Sequence, residues 1–185
     1  RQNEEIKKLN EEYDEIDIYS GTEMDILPDG SLDYDNEVLA QLDYVIAAIH
    51  QSFNQSEDEI MKRLEVACKN PYVRLIAHPR GRIIGRRPGY KPNIEKLMKL
   101  AEETNTILEI NANPKRLDLN AETVRKYPNV KLTINTDAHH TNHLEFMKYG
   151  VATAQKGFVA KDRVVNALSR EEFKSLIENN IKLRK

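Results

Sequence analysis

Short apolar runs alternate with amphipathic stretches along this chain, and that alternation limits the folds it can adopt. The runs are rich in Ile, Val, Leu and Tyr and have the length of buried strands. Strands that alternate with helices predict an α/β fold with a parallel sheet, either open or closed into a barrel. We predict strands at residues 16–26, 44–49, 73–77, 106–110 and 131–135, and a weaker one at 151–154.

Helical patterns lie between these runs, at residues 56–69, 93–104, 120–126 and 169–179. The first begins with Ser56 and has Glu59 three positions later, which is a capping-box pattern. We found no internal repeat, low-complexity run or linker, so one domain spanning residues 1–185 is the simplest interpretation. Residues 1–13 have the pattern of the middle or end of a helix, and we therefore expect the natural chain to extend upstream of Arg1.

Composition narrows the classes of function. The net charge of −2 and the pI of about 6.3 show no basic excess, so any contact with nucleic acid requires a local patch. The single cysteine, Cys68, excludes an intrachain disulfide and a cysteine-based zinc site, and it fits the reducing cytoplasm. Its helical pattern predicts that it is buried. No apolar run approaches the roughly 20 residues of a membrane span, and no membrane partner is expected.

Side chains that can bind metals fall at the C-terminal ends of the predicted strands. In parallel α/β folds these ends form one face, so residues far apart in sequence converge there. A lone histidine at a strand end is more often structural, but the joint set offers the mixed N/O ligands of zinc, manganese or iron. Two or three such ions activate water and neutralise charge on a phosphate oxygen. The proposed ligands and catalytic residues are Glu23, His50, His78, Asp137 and His139.

A second acid, Asp25, has the same strand parity as Glu23, so both side chains can face one side. The alternative is that one of the two is only a loop-facing acid.

A local basic patch follows His78 directly. It contains four arginines in eight residues, and guanidinium groups bind phosphate oxygens well. The alternative is a solvated charged loop. The residues predicted to contact substrate or DNA are Arg80, Arg82, Arg86 and Arg87, together with Asn111 and Asn113 after the fourth strand.

Several segments carry a family resemblance. They include GTEMDILPDGSLD from Gly21, DYVIAAIH ending at His50, IAHPRGR around His78, LEINANP around Glu109, and NTDAH ending at His139. Together they resemble the PHP (polymerase and histidinol phosphatase) family, and most of all the C-terminal PHP domain of bacterial and archaeal family X DNA polymerases.

The resemblance implies a distorted (β/α)7 TIM-like barrel with a trinuclear centre of Mn²⁺ or Zn²⁺. Glu23 would bridge two metals, His50 and His78 would ligate one of that pair and Asp137 the other, and His139 would bind the third. The implied activity is 3′→5′ exonuclease or related processing of DNA 3′ ends, in a polymerase that functions in DNA repair. The partners would be DNA 3′ ends and the polymerase domain of the same parent chain.

The chain departs from the family at its start. The opening Asp-X-His-X-His motif and a later histidine are absent, so we expect an incomplete barrel that lacks its first two βα units. Such a fragment would be nearly inactive alone and would be able to self-associate through an open strand edge. Two other functions stay open: a small-molecule phosphatase of the histidinol-phosphatase type, and a non-catalytic domain that supports polymerase architecture.

Overall fold

The computed structural model describes residues 1–179. Within this range five strands form one fully parallel sheet in sequential order, which confirms the predicted α/β class and the five main strands. The sheet is open over these residues: β1 pairs with β2 and β5 with β4 at its two edges. The strands are β1 (Gly21–Asp25), β2 (Tyr44–Ala48), β3 (Val73–Ile76), β4 (Ile107–Asn111) and β5 (Leu132–Asn135).

Seven α-helices and three short 3-10 helices connect and cover these strands within the described range. The α-helices are α1 (Gln2–Glu12), α2 (Asn36–Leu39), α3 (Glu57–Lys69), α4 (Ile94–Thr104), α5 (Ala121–Lys126), α6 (Met147–Lys156) and α7 (Arg170–Asn179). The 3-10 helices are Thr141–Phe146, Lys161–Arg163 and Val165–Ala167.

The weak strand predicted at residues 151–154 is wrong, because these residues lie within α6. Gly150 and Ala154, four positions apart, are the buried residues of this helix, whereas Val151 is exposed. The burial therefore follows the helical period and not the alternation of a strand. A run of small residues gave too weak a periodic signal to separate the two.

Helix α3 begins as its sequence predicts. The Ser56 hydroxyl accepts the Glu59 N–H, and the Glu59 carboxylate accepts the Ser56 N–H at 2.8 Å, which completes the capping box. The buried face of α3 carries Ile60, Leu64 and Cys68, so the prediction of a buried cysteine is confirmed.

The two faces of the sheet are covered differently. One face packs in the main core against α3 and α4, through residues such as Ala47, Ile76 and Leu108. On the other face Leu75 and Ile107 form a smaller cluster with Phe173 and Leu176 of α7. Every residue of β3 and β4 is consequently buried. This second face leads up to the polar ends of the strands.

The buried side chain of Arg74 connects β3 to α7. Its guanidinium donates to the carbonyls of Asp43, Leu176 and Ile177. Over the described residues, none of the helices is both long and apolar enough to cross a membrane.

Candidate metal centre

Three predicted ligands meet at the C-terminal edge of the sheet. Glu23 lies in β1, and His50 and His78 are each the second residue after their strands, β2 and β3. Because the strands are parallel and adjacent, their ends lie side by side. The three side chains therefore lie close together, with Glu23 inside its strand and the two histidines just beyond theirs.

The three side chains form a compact group. Glu23 Oε1 lies 3.0 Å from His78 Nε2 and 3.2 Å from His50 Nε2, and the imidazole centroids are 5.2 Å apart. The ligand atoms all lie within 4.8 Å of one another. Two imidazole nitrogens and one carboxylate oxygen at this spacing fit a divalent cation such as Zn²⁺ or Mn²⁺.

Electrostatics acts on Glu23 and His50 in opposite ways with respect to metal binding. Hydrogen bonds from His50 and His78 lower the pKa of Glu23 well below its ordinary value, so its carboxylate is ionised at neutral pH. Hydrogen bonding to Glu23 raises the pKa of His50, opposed by desolvation and reinforced by Asp25. A cation that binds here would displace the proton from His50. The site is open to solvent on one side, since Glu23 and His50 are about one third exposed and His78 is buried.

Asp25 holds the far side of the His50 ring. Its Oδ1 contacts His50 Nδ1, which leaves Nε2 directed at Glu23. The shared parity of Glu23 and Asp25 in β1 thus places both carboxylates against one histidine. A carboxylate on the outer nitrogen fixes the tautomer and raises the basicity of a metal-binding imidazole. Glu23 is the inner acid, and Asp25 orients the His50 ring.

The Glu109 side chain lies between the group of Glu23, His50 and His78 and the end of β5, and it contacts both. It is buried, and burial raises the pKa of its carboxyl group. Its oxygens accept the His78 N–H at 2.7 Å, the Asn135 side-chain amide at 2.9 Å and the Asn111 side-chain amide at 3.1 Å. The first of these bonds restrains the backbone of His78, whose φ of 28° is in a region that non-glycine residues rarely adopt.

Asp137 and His139 form the other half of the edge, after β5. Asp137 is the second residue after its strand and, like His78, has a positive φ, here 51°. Its Oδ1 lies 3.6 Å from Nδ1 of His139, which is 79% exposed. Among the described residues, only Glu23, His50 and His78 satisfy the spacing of a single ion. Of the five predicted ligands, Glu23 and Asp137 line one cavity of about 330 Å³.

The arginine loop is turned largely toward the protein. Arg80 donates to the Thr123 hydroxyl, Arg82 to two backbone carbonyls, and Arg87 to the Gly81 carbonyl while it covers the Phe53 ring at 4.1 Å. Arg86 is exposed. The prediction that this loop grips DNA stays a prediction, with Arg86 as the arginine most accessible to a ligand.

The two predicted asparagines also have protein partners. Asn111 is fully buried, and its amide donates to Glu109 and Asp137. Asn113 accepts the Lys115 N–H at 3.0 Å through its side-chain oxygen. Asn111 therefore has the position of a support for two carboxylates and not of a surface contact.

Sequence reasoning missed Arg116. Its Nε donates to Asp137 Oδ2 at 2.9 Å, and the ion pair is largely buried. The residue lies only three positions after Asn113, in a segment that resembles the polymerase branch. That closeness to the predicted asparagines was the one signal that would have drawn attention to it.

Comparisons with known proteins give several relatives. No protein-family model matches the chain. It is 52% identical over 182 residues to the DNA polymerase/3′-5′ exonuclease PolX of Bacillus subtilis, an alignment that covers 97% of this chain and 32% of that protein. It is 28% identical over 173 residues to a probable phosphatase of Thermoanaerobacter pseudethanolicus, covering 87% of this chain and 68% of the relative. A probable phosphatase of Caldanaerobacter subterraneus is 36% identical over 110 residues, 57% of this chain and 41% of that protein. The chain thus spans about a third of the PolX relative.

Proposed function

This chain is a relative of the PHP domains of family X DNA polymerases, and from that premise we propose that it is the metal-dependent phosphoesterase domain of such a polymerase. We propose further that it hydrolyses phosphoester bonds at DNA 3′ ends. The supporting observation is the group of Glu23, His50 and His78 at the C-terminal edge of the sheet. The name of the PolX relative includes a 3′-5′ exonuclease, which agrees with this substrate class.

The nitrogen and oxygen ligand atoms of this group suit metal-dependent phosphoester hydrolysis. Glu23, His50 and His78 would hold one divalent cation. Asp137 and His139 would contribute to the binding of further cations, with two or three in total in the intact domain. Bound cations lower the pKa of a water molecule and neutralise charge on a phosphate oxygen. Asp25 would keep the His50 ring oriented while this occurs, and Glu109 would keep the His78 backbone in place. The general order of affinities among divalent metals favours Zn²⁺, whereas the carboxylate ligands favour Mn²⁺.

The larger context is also part of the proposal. The sequential parallel sheet is compatible with part of a (β/α)7 barrel, and the edges of β1 and β5 would be covered in the intact domain or by a second copy. The partners would be DNA 3′ ends and a polymerase domain in the same parent protein, since the PolX relative is about three times the length of this chain.

A small-molecule phosphatase is the second candidate. Relatives named probable phosphatases match up to 87% of the chain, and two of them are matched over 68% of their own length. The same ligand group would serve a phosphomonoester. A non-catalytic domain that retains ligand residues is the third alternative, and only a lack of metal-dependent turnover would favour it.

A single-turnover assay separates the three functions. We would incubate an excess of the chain with Mn²⁺ and either a 5′-labelled DNA oligonucleotide or p-nitrophenyl phosphate. We expect slow shortening of the DNA from its 3′ end, abolished by His78→Ala and retained by Lys99→Ala, which alters an exposed side chain on α4.

The outcomes point in different directions. Faster hydrolysis of p-nitrophenyl phosphate than of DNA would favour the small-molecule phosphatase. Metal binding without turnover of either substrate would favour the non-catalytic domain. DNA shortening that survives His78→Ala would mean that the proposed centre does not carry the reaction.

A further inference from the structure

We propose that Asp118 is a positioning residue for the metal centre. Its carboxylate fixes the turn after β3, and this keeps the His78 imidazole directed at Glu23, 3.0 Å away. The proposal rests on the proposed function, because His78 is a ligand of the proposed centre. The observations that carry it are the hydrogen bonds of the turn at residues 78–81 and the burial of Asp118.

His78 begins a tight turn in a backbone conformation that non-glycine residues rarely adopt. Its φ is 28°, and its carbonyl accepts the Gly81 N–H at 2.7 Å, which closes the turn. Such a conformation persists only where its surroundings hold it, and it is concentrated at functional sites. Pro79, the next residue, has no N–H. The N–H groups of His78 and Arg80 are therefore the remaining backbone donors that can anchor the turn.

Two buried carboxylates from another part of the chain accept these two donors. Glu109 accepts the His78 N–H at 2.7 Å, and Asp118 Oδ2 accepts the Arg80 N–H at 2.8 Å. Glu109 lies within β4, and Asp118 forms an antiparallel bridge with Asn111 at the end of that strand. The turn is thus held to β4 at two points, and a shift of the turn would break one of them.

The burial of Asp118 indicates that it does more than fill space. The side chain is fully buried, and a carboxylate removed from water is costly unless hydrogen bonds or charges compensate. Burial raises the pKa of Asp118, and the hydrogen bond from the Arg80 N–H opposes this shift. The other oxygen, Oδ1, is buried and has no hydrogen-bond partner among the described residues. An apolar side chain would fill this space at lower cost, so the acceptor for the Arg80 N–H explains the carboxylate.

Titration of the whole chain with Co²⁺, followed by visible absorption, tests the role of Asp118. Loss of a group that supports a metal ligand typically weakens metal binding by about 10–100-fold. We expect Asp118→Ala to bind Co²⁺ at least about tenfold more weakly. Asp118→Asn should stay within about threefold of wild type, because its amide oxygen can still accept the Arg80 N–H.

Asp43→Ala is the matched control for a general loss of stability. Asp43 also accepts a backbone N–H, that of Ser20 at 2.8 Å, but it lies before β2, at the opposite end of the sheet. This variant should lower the free energy of unfolding and leave the Co²⁺ affinity and spectrum of the folded chain unchanged. A changed spectrum of bound Co²⁺ in Asp118→Ala alone would show that the geometry of the ligands has changed.

Amide hydrogen exchange in the metal-free chain gives a measurement that does not depend on the metal. The Arg80 amide should exchange roughly tenfold or more faster in Asp118→Ala and at about the wild-type rate in Asp118→Asn. If wild type binds no Co²⁺, the proposed function fails, and these exchange rates still decide whether Asp118 fixes the turn.

Several outcomes would overturn the proposal. One is wild-type affinity for Co²⁺ in Asp118→Ala, even if the Arg80 amide exchanges faster, because the turn would then not position the ligand. Another is an equal loss in Asp118→Asn, since charge and not the acceptor would then set the affinity. If Asp118→Ala does not fold, Asp118→Ser takes its place, because it shortens the side chain by one bond. Wild-type affinity in that serine variant would overturn the proposal equally.

Discussion

Replacing Asp25 with alanine removes the group that orients His50 while leaving all three proposed ligands in place. In the structure the Asp25 carboxylate contacts His50 Nδ1, and Nε2 then faces Glu23. Loss of such an outer hydrogen-bond partner typically weakens metal binding by about 10–100-fold. Asp25 and His50 are about one third exposed, so solvent screens part of the interaction. We therefore expect the lower end, roughly tenfold or about 1.4 kcal/mol.

Competition with a chromophoric chelator for Zn²⁺ measures this effect on the purified chain. Asp25→Asn retains an oxygen that can accept the Nδ1 proton, so it should lose less affinity than Asp25→Ala. The exposed Asp33, which follows the same strand, provides the control Asp33→Ala with matched charge loss. Urea unfolding of the metal-free variants would verify that the fold is intact.

Two outcomes of these Zn²⁺ measurements would contradict the role of Asp25. If Asp25→Ala binds Zn²⁺ as tightly as wild type while His78→Ala binds much more weakly, the orientation of His50 by Asp25 contributes nothing to the site. An equal loss in Asp33→Ala would mean that net charge, and not the hydrogen bond, sets the affinity.

Three further predictions concern stability. In the metal-free chain the Glu23–His50 pair should contribute most to the free energy of unfolding between about pH 4.5 and 6.5. Because the pKa of Glu23 is lowered in the fold, its contribution is lost as the pH falls below the ordinary value of 4.5. Because the pKa of His50 is raised, its contribution is lost as the pH rises above the ordinary value of 6.5. Urea unfolding of wild type and His50→Ala across this range checks it, and a pH-independent difference would contradict it. Gly150→Ala should destabilise by about 1–3 kcal/mol, since a Cβ there would lie 2.3 Å from Ile134 Cγ2; an unchanged melting temperature would refute this. Arg63→Met should cost about 3 kcal/mol or more in urea unfolding, because a buried guanidinium loses bonds to two backbone carbonyls and a side-chain amide oxygen, each worth about 1.5–3 kcal/mol; a loss below about 1 kcal/mol would show that water replaces them.

Much of the fold could be predicted because its signals are local. The capping box at Ser56 and the apolar spacing of α3 and α4 depend on residues three or four positions apart. The buried runs of β3 and β4 are continuous, as expected for strands covered on both faces. The error at residues 151–154 arose where small residues made the helical and strand periods hard to distinguish.

The sequence by itself determined which residues reach the edge of the sheet. Parallel strands bring their C-terminal ends together whatever lies between them, so His50, His78 and Asp137 could be assigned to one edge from position alone.

Only the tertiary structure decided how these side chains pair. Asp25 holds His50, Arg116 holds Asp137, and Arg82 supports the Arg116 segment. These partners lie 21 to 34 positions apart in sequence, and their distances depend on strand register, loop path and rotamer. Periodicity encodes the face on which a residue lies but not the atom it touches, and for that reason the ligands could be predicted and their supports could not.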